Sequence, residues 1–132
     1  MLTYLWIAIG SALGGMARYA CSTLVAQSVS GAFPWGTLLV NVAGSFLIGI
    51  FAVIGPPGGR FALSPDARLF VTVGICGGYT TFSSFSLQTL DLIREGHVAA
   101  AGGNIAASVL LCLLAVWAGA AAGHVLGGAR MG

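Results

Sequence analysis

Gly77–Ser86 reads GGYTTFSSFS, and it interrupts a stretch that otherwise reads as a membrane-spanning helix. Two adjacent glycines of poor helix propensity precede an aromatic residue and two β-branched threonines. Hydroxyls then alternate with Phe82 and Phe85, three residues apart. The chain around this stretch is too apolar for an ordinary surface loop. Of 132 residues, 58% are hydrophobic and 6% charged, and the mean hydropathy is +0.98. Soluble domains carry about 25% charged residues. The composition is that of an integral membrane protein, in which a broken span needs a physical reason.

A span takes roughly 20 apolar residues. Working outward from the break, the third span is expected over about 67–94 and the fourth over about 98–127. The first is expected over about 3–24 and the second over about 35–54. Pro34 suits a helix start and Trp35 the headgroup level. GPPGG at 55–59 ends the second span, and SPDA at 64–67 starts the third with Asp66 in its first turn. The opening MLTYLWIAIG lacks a positive n-region and reads as a span rather than a cleaved signal. The expected fold is all-α, one four-helix membrane domain over residues 1–132. Gly10 and Gly14 form a GxxxG pair, and Gly119, Gly123 and Gly127 a row on the fourth span. Small residues allow close helix approach, which serves assembly or packing within one chain alike.

At the break, which counting from Asp66 falls near the bilayer midplane, backbone groups lose their helical partners, at a high cost in hydrocarbon. Such breaks persist where they bind ions or line water, and a glycine kink packed on a neighbour is the plainer reading. Carbonyl ends attract a cation and N–H ends an anion. Three polar lines accompany the break. Thr81, Ser84 and Gln88 share one stripe, Thr37, Asn41 and Ser45 a second, and Asn104, Ser108 and Cys112 a third. Interhelical hydrogen bonding alone would account for Asn41. Phe82 and Phe85 offer ring edges, which favour an anion, or faces, which favour a cation.

Charge is scarce. The chain has no lysine, a formal net charge of +2, and charged residues at Arg18, Arg60, Arg68, Arg94, Arg130, Asp66, Asp91 and Glu95 only. That is too little and too scattered for nucleic acid. No Asp, Glu, Lys, Arg or His falls in the predicted middle of a span, as a proton-coupled transporter would need. Arg60, Arg68 and Arg130 fall on one side and Arg18 and Arg94 on the other, almost no positive-inside bias. Two readings of that balance stay open: insertion both ways with antiparallel pairing of two copies, or one fixed topology set by a partner or by the slight bias. Arg18 snorkels to the interface, as an anchor or as a cation at a pore mouth. Cys21, Cys76 and Cys112 have no metal or redox spacing, His97 and His124 sit near span ends, and no nucleophile–base pair is visible. An enzyme is not expected.

GGMARY at 14–19, GTLLVNVAGSFLIG at 36–49 and GICGGYTTFSSFS at 74–86 resemble the Fluc fluoride channels, also called CrcB proteins. The likeness covers almost the whole chain. It implies an antiparallel, dual-topology homodimer with two pores in a bacterial inner membrane, passing fluoride passively and lowering its cytoplasmic level. It implies a structural Na⁺ on the dimer axis, held by the backbone carbonyls of Gly77 and Thr80 of both subunits. By the same likeness Phe82 and Phe85 line the path with ring edges, Asn41 is the pore asparagine, and Ser84 and Ser108 belong to the polar track beside Thr81. Ser84 stands where threonine is also common, and Asn104 where an aromatic hydroxyl is more usual. Fluoride holds water tightly, so conduction needs substitutes for that water that do not grip too hard. Amides, hydroxyls and ring edges meet that need. Two other readings stay open. A small four-span multidrug exporter would need a membrane-embedded carboxylate, absent from LTYLWIAIGSALGGMARYA. A non-transporting assembly subunit would need only the glycines.

Overall fold

The computed structural model describes residues 1–58 and 61–127. Arg60 and Arg130, two of the charges used to weigh orientation, lie outside the described residues. Everything described is helix, turn or loop, with no strand among the described residues. Helix α1 spans Leu2–Ser28 and α2 spans Trp35–Ile54. A third rod is built in pieces: α3 at Pro65–Leu69, a wide π-helical stretch at Phe70–Cys76, α4 at Gly77–Tyr79 and α5 at Phe82–Arg94. Helix α6 spans Val98–Gly127, 30 residues, or about 45 Å of helix at 1.5 Å per residue.

Local chemistry fixes these bounds. Ser64 caps α3, its hydroxyl accepting from the Ala67 N–H at 3.2 Å, and Pro65 takes the first helical position, where its missing N–H costs nothing. Asp66 in that first turn accepts from the Thr3 hydroxyl at 2.9 Å, tying the third rod to the start of α1. Gly96, at φ +83, closes α5: its N–H bonds Ile93 O at 3.1 Å and the His97 N–H bonds Leu92 O at 2.8 Å. A side chain at that φ would be strained, so glycine sets the tight turn into α6.

The break differs from expectation in its position. Gly77 and Gly78 are helical, and the backbone becomes extended at Thr80 (φ −85, ψ 158) and Thr81 (φ −153, ψ 112). Gly78 is small for another reason. A Cβ there would lie 2.6 Å from Ser11 O and 2.9 Å from Ser11 Cα, so α1 leaves no room for one. The chain interrupts where β-branched threonines resist the helix and where a partner exists for the freed backbone.

Two helix pairs form the bundle. Helix α1 packs on the third rod, where a Cβ on Gly10 would meet Phe70 O at 2.7 Å and Gly74 Cα at 2.9 Å, and where Gly14 abuts the Ile75 carbonyl. Helix α2 packs on α6, with Gly119 against the Phe46 carbonyl and Gly49 against the Val116 carbonyl. The glycine rows therefore join helices of one chain.

The burial pattern is inverted relative to a water-soluble domain. Thr37, Thr81, Thr89, Asn104 and Ser108 are buried, while Leu110, Leu113, Leu114 and Trp117 on α6 and Tyr4, Leu13 and Tyr19 on α1 face outward. Water would oppose that arrangement at about 25 cal/mol per Å² of apolar surface, and hydrocarbon accepts it. Among the described residues two helices, α2 and α6, are long and apolar enough to cross a membrane by length and composition. Helix α1 has the length, at 27 residues, but its apolar run is diluted by glycine, serine, threonine and Arg18. The third rod is cut short by its break.

Candidate functional site

The break at Thr80 and Thr81 would leave bare amides inside the bundle, and Asn41 of α2 meets them. Its Nδ2 donates to Thr81 O at 3.0 Å, and its Oδ1 accepts from the Thr81 N–H at 2.7 Å. One side-chain amide thus pairs with both backbone groups of one residue, as a strand neighbour would. The Thr81 hydroxyl then caps α5, accepting from the Ser84 N–H at 3.2 Å and donating to Ser84 Oγ at 3.0 Å.

These bonds divert two donors. In an unbroken helix the N–H groups of Thr81 and Ser84 would point at the carbonyls of Gly77 and Thr80. Here they bond the Asn41 and Thr81 side chains. The Gly77 and Thr80 carbonyls are left as backbone oxygens without those donors, beside one cleft. Oxygen ligands of this kind suit a hard monovalent or divalent cation, so these residues fit a bound Na⁺ chemically. The nearby Cys76 carbonyl is taken instead by both the N–H and the hydroxyl of Thr80, each at 3.0 Å.

The cleft has a volume of about 420 Å³. Asn41, Thr80, Thr81, Phe82, Phe85 and Ser108 are on its wall, together with Gly77 and Ser45, and none of its lining residues carries a charge. Thr81 is 7% exposed, Phe85 8% and Ser108 8%, whereas Phe82 is 77% exposed. The two rings stand 5.2 Å apart between centroids, tilted at 53°. The cleft is consequently walled on one side by the chain and open where Phe82 projects.

A second, larger concavity of about 810 Å³ lies across Thr81, between α1, the loop before α2, and α5. Arg18, Ser84, Ser83 and Gln88 line it, and Thr81 lines both spaces. The structure therefore separates the sequence-predicted residues into two groups meeting at Thr81: Asn41, Phe82, Phe85 and Ser108 in the cleft, and Ser84 and Arg18 in the outer space. Gln88 Oε1 is buried without a protein partner on the outer side.

Thr89 escaped sequence reading. Its hydroxyl donates to Phe85 O at 2.7 Å and accepts from Asn104 Nδ2 at 2.9 Å. The signal was present, since Thr89 follows Phe85 by four and Thr81 by eight and so continues one helical stripe. Asn104, at 1% exposure, faces α5 rather than the cleft.

Residues 5–120 match the family model described as CrcB-like protein, Camphor Resistance (CrcB). The fluoride-specific ion channel FluC of Methylocella silvestris is 61% identical over 118 residues, 89% of this chain and 90% of that protein. The protein of the same name from Opitutus terrae is 56% identical over 119 residues, 90% of each chain. The one from Paramagnetospirillum magneticum is 53% identical over 126 residues, 96% of this chain and 98% of its relative.

Proposed function

The chain belongs to the CrcB-like family, a family of ion channels rather than enzymes, and from that premise we propose that it is a fluoride-selective channel of the bacterial inner membrane. It lets fluoride leave down its gradient and so lowers the cytoplasmic level. The reading extends to four membrane spans, to an antiparallel dual-topology homodimer with two pores, and to a structural Na⁺ on the dimer axis.

The observation that carries it is the wall of the 420 Å³ cleft, where amide, hydroxyl and phenyl groups converge with no fixed charge. A fluoride ion must exchange its water for donors, and a lysine in that place would trap it. Ring edges of Phe82 and Phe85 carry partial positive charge and act as weak donors. Asn41 has one Nδ2 proton beyond the bond to Thr81 O, available toward the cleft. Ser84 and Arg18 belong to the approach, where a cation raises local anion concentration without entering the narrow part.

The dimer reading is supported by the open side of the cleft. A path bounded by one chain alone would leak to lipid at Phe82, which is 77% exposed. A second copy closes it. The Na⁺ reading is supported by the diverted donors of Thr81 and Ser84. The Gly77 and Thr80 carbonyls would hold the ion, and bound there it would supply a positive charge that offsets repulsion between the broken ends of two subunits. The chain's own residues do the rest: Asn41 holds the break open, and Thr81 links the outer space to the cleft.

The test is efflux from liposomes loaded with fluoride, with potassium movement shunted by an ionophore and no proton gradient. Fluoride is expected to leave far faster than chloride. Equal chloride movement would remove selectivity from the reading, and no fluoride movement through folded protein would remove the channel.

A further inference from the structure

Ser108 and Asn104 occupy successive turns of α6, and a chain of hydrogen bonds runs between them and α5. Ser108 Oγ donates to Asn104 Oδ1 at 3.4 Å, Asn104 Nδ2 donates to Thr89 Oγ1 at 2.9 Å, and Thr89 Oγ1 donates to Phe85 O at 2.7 Å. A hydroxyl has one proton. The Ser108 proton is therefore turned away from the cleft that its oxygen lines, toward Asn104. The chain has one direction, with every donor pointing toward the Phe85 carbonyl.

The three bonds differ in length in a telling order. Those to Thr89 and Phe85 are short, while that from Ser108 is long for a hydroxyl donor, whose usual distance is about 2.7–2.8 Å. Asn104 is 1% exposed and rigidly held by Thr89. It offers Ser108 an acceptor that is always present and always weak. An anion in the cleft is the stronger acceptor, because its bond is charge-assisted. It draws the Ser108 proton across only by releasing Asn104 Oδ1.

Resting on the fluoride-channel reading, we propose that Asn104 is a positioning residue that sets how firmly Ser108 holds the passing anion. It takes back the Ser108 proton when the anion moves on, so that the site releases as readily as it binds. It touches no permeating ion itself.

The test replaces Asn104 with leucine, which has the same number of side-chain heavy atoms and leaves the Thr89 bond to Phe85 in place. Fluoride efflux is measured against fluoride concentration in liposomes for wild type, Asn104→Leu, Ser108→Ala and the double variant. Asn104→Leu is expected to lower the half-saturating fluoride concentration about three- to tenfold, the worth of one hydrogen bond, and to lower the maximal rate as release slows. In the Ser108→Ala background the same replacement is expected to leave half-saturation unchanged, since the proton it frees is gone. A fall in rate with half-saturation unmoved, or an equal effect in both backgrounds, overturns the proposal. Asn104→Ala is the second variant should the leucine form fail to fold, and failure of both to fold assigns Asn104 a purely structural role and overturns it too. If wild type passes no fluoride, the channel reading falls. If wild type conducts and the variants keep its half-saturation, this inference alone falls.

Discussion

At the scale of single residues, the bilayer makes an unpaired amide more consequential than any charge on this chain. Asn41 is the case in point. It was legible in the sequence as a costly polar residue on an apolar helix, but its target was not. The partner, Thr81, lies 40 residues away and is a backbone rather than a side chain. Asn41→Leu keeps the branching and the number of side-chain heavy atoms and removes both bonds. It is expected to cost about 1–3 kcal/mol for each backbone group left unpaired, seen as a lowered melting temperature in detergent and a loss of fluoride efflux. Thr81→Val, which keeps the backbone pair and removes the cap on α5 together with the hydroxyl's bonds to Ser83 and Ser84, is expected to cost less, about 1 kcal/mol. Equal losses in the two variants would mean that the clamp does not hold the break.

At the scale of elements, the glycines set helix spacing. Gly119 lies under the Phe46 carbonyl, so Gly119→Ala must force α2 and α6 apart, at a cost of about 1–3 kcal/mol. Gly102 on the same helix has no atom within 4 Å of an added Cβ. Gly102→Ala is therefore expected to stabilise the helix by about 0.5–1 kcal/mol. Thermal unfolding of the two variants side by side reads the contrast in sign, and destabilisation by both would refute the packing assignment. The same logic explains why GG at 77–78 misled as a break. Glycine is a poor helix former in isolation, but at Gly78 a neighbouring backbone 2.6 Å from the missing Cβ is the stronger constraint, whereas Gly77 has nothing nearer than 3.7 Å.

At the scale of the whole molecule, the outward apolar faces of α1 and α6 and the half-walled cleft describe a protein completed by its surroundings. In the proposed assembly lipid covers the first and a second copy covers the other. The proposed Na⁺ belongs to this scale, since four carbonyls from two chains would share it. Protein prepared throughout without Na⁺ is expected to lose dimer on size exclusion or to conduct more slowly, and to recover when Na⁺ is restored. An intact, fully conducting dimer under those conditions would count decisively against the ion site.

The sequence by itself determined the membrane setting, the bounds of α2 and α6 and the family, while α1 runs four residues beyond its expected end. These follow from composition, from short-range signals such as Ser64-Pro65 and the GPPGG stop, and from contiguous motifs. The polar lines were legible too, because helical periodicity places Thr37 with Asn41 and Asn104 with Ser108 regardless of what they face. Only the tertiary structure decided where the third rod breaks, which residues share the cleft, and that Thr89 links Asn104 to Phe85. Those outcomes depend on the distance between backbones of different helices. A sequence records which hydrogen-bonding groups exist, and packing decides which of them remain without a helical partner and therefore have to find another.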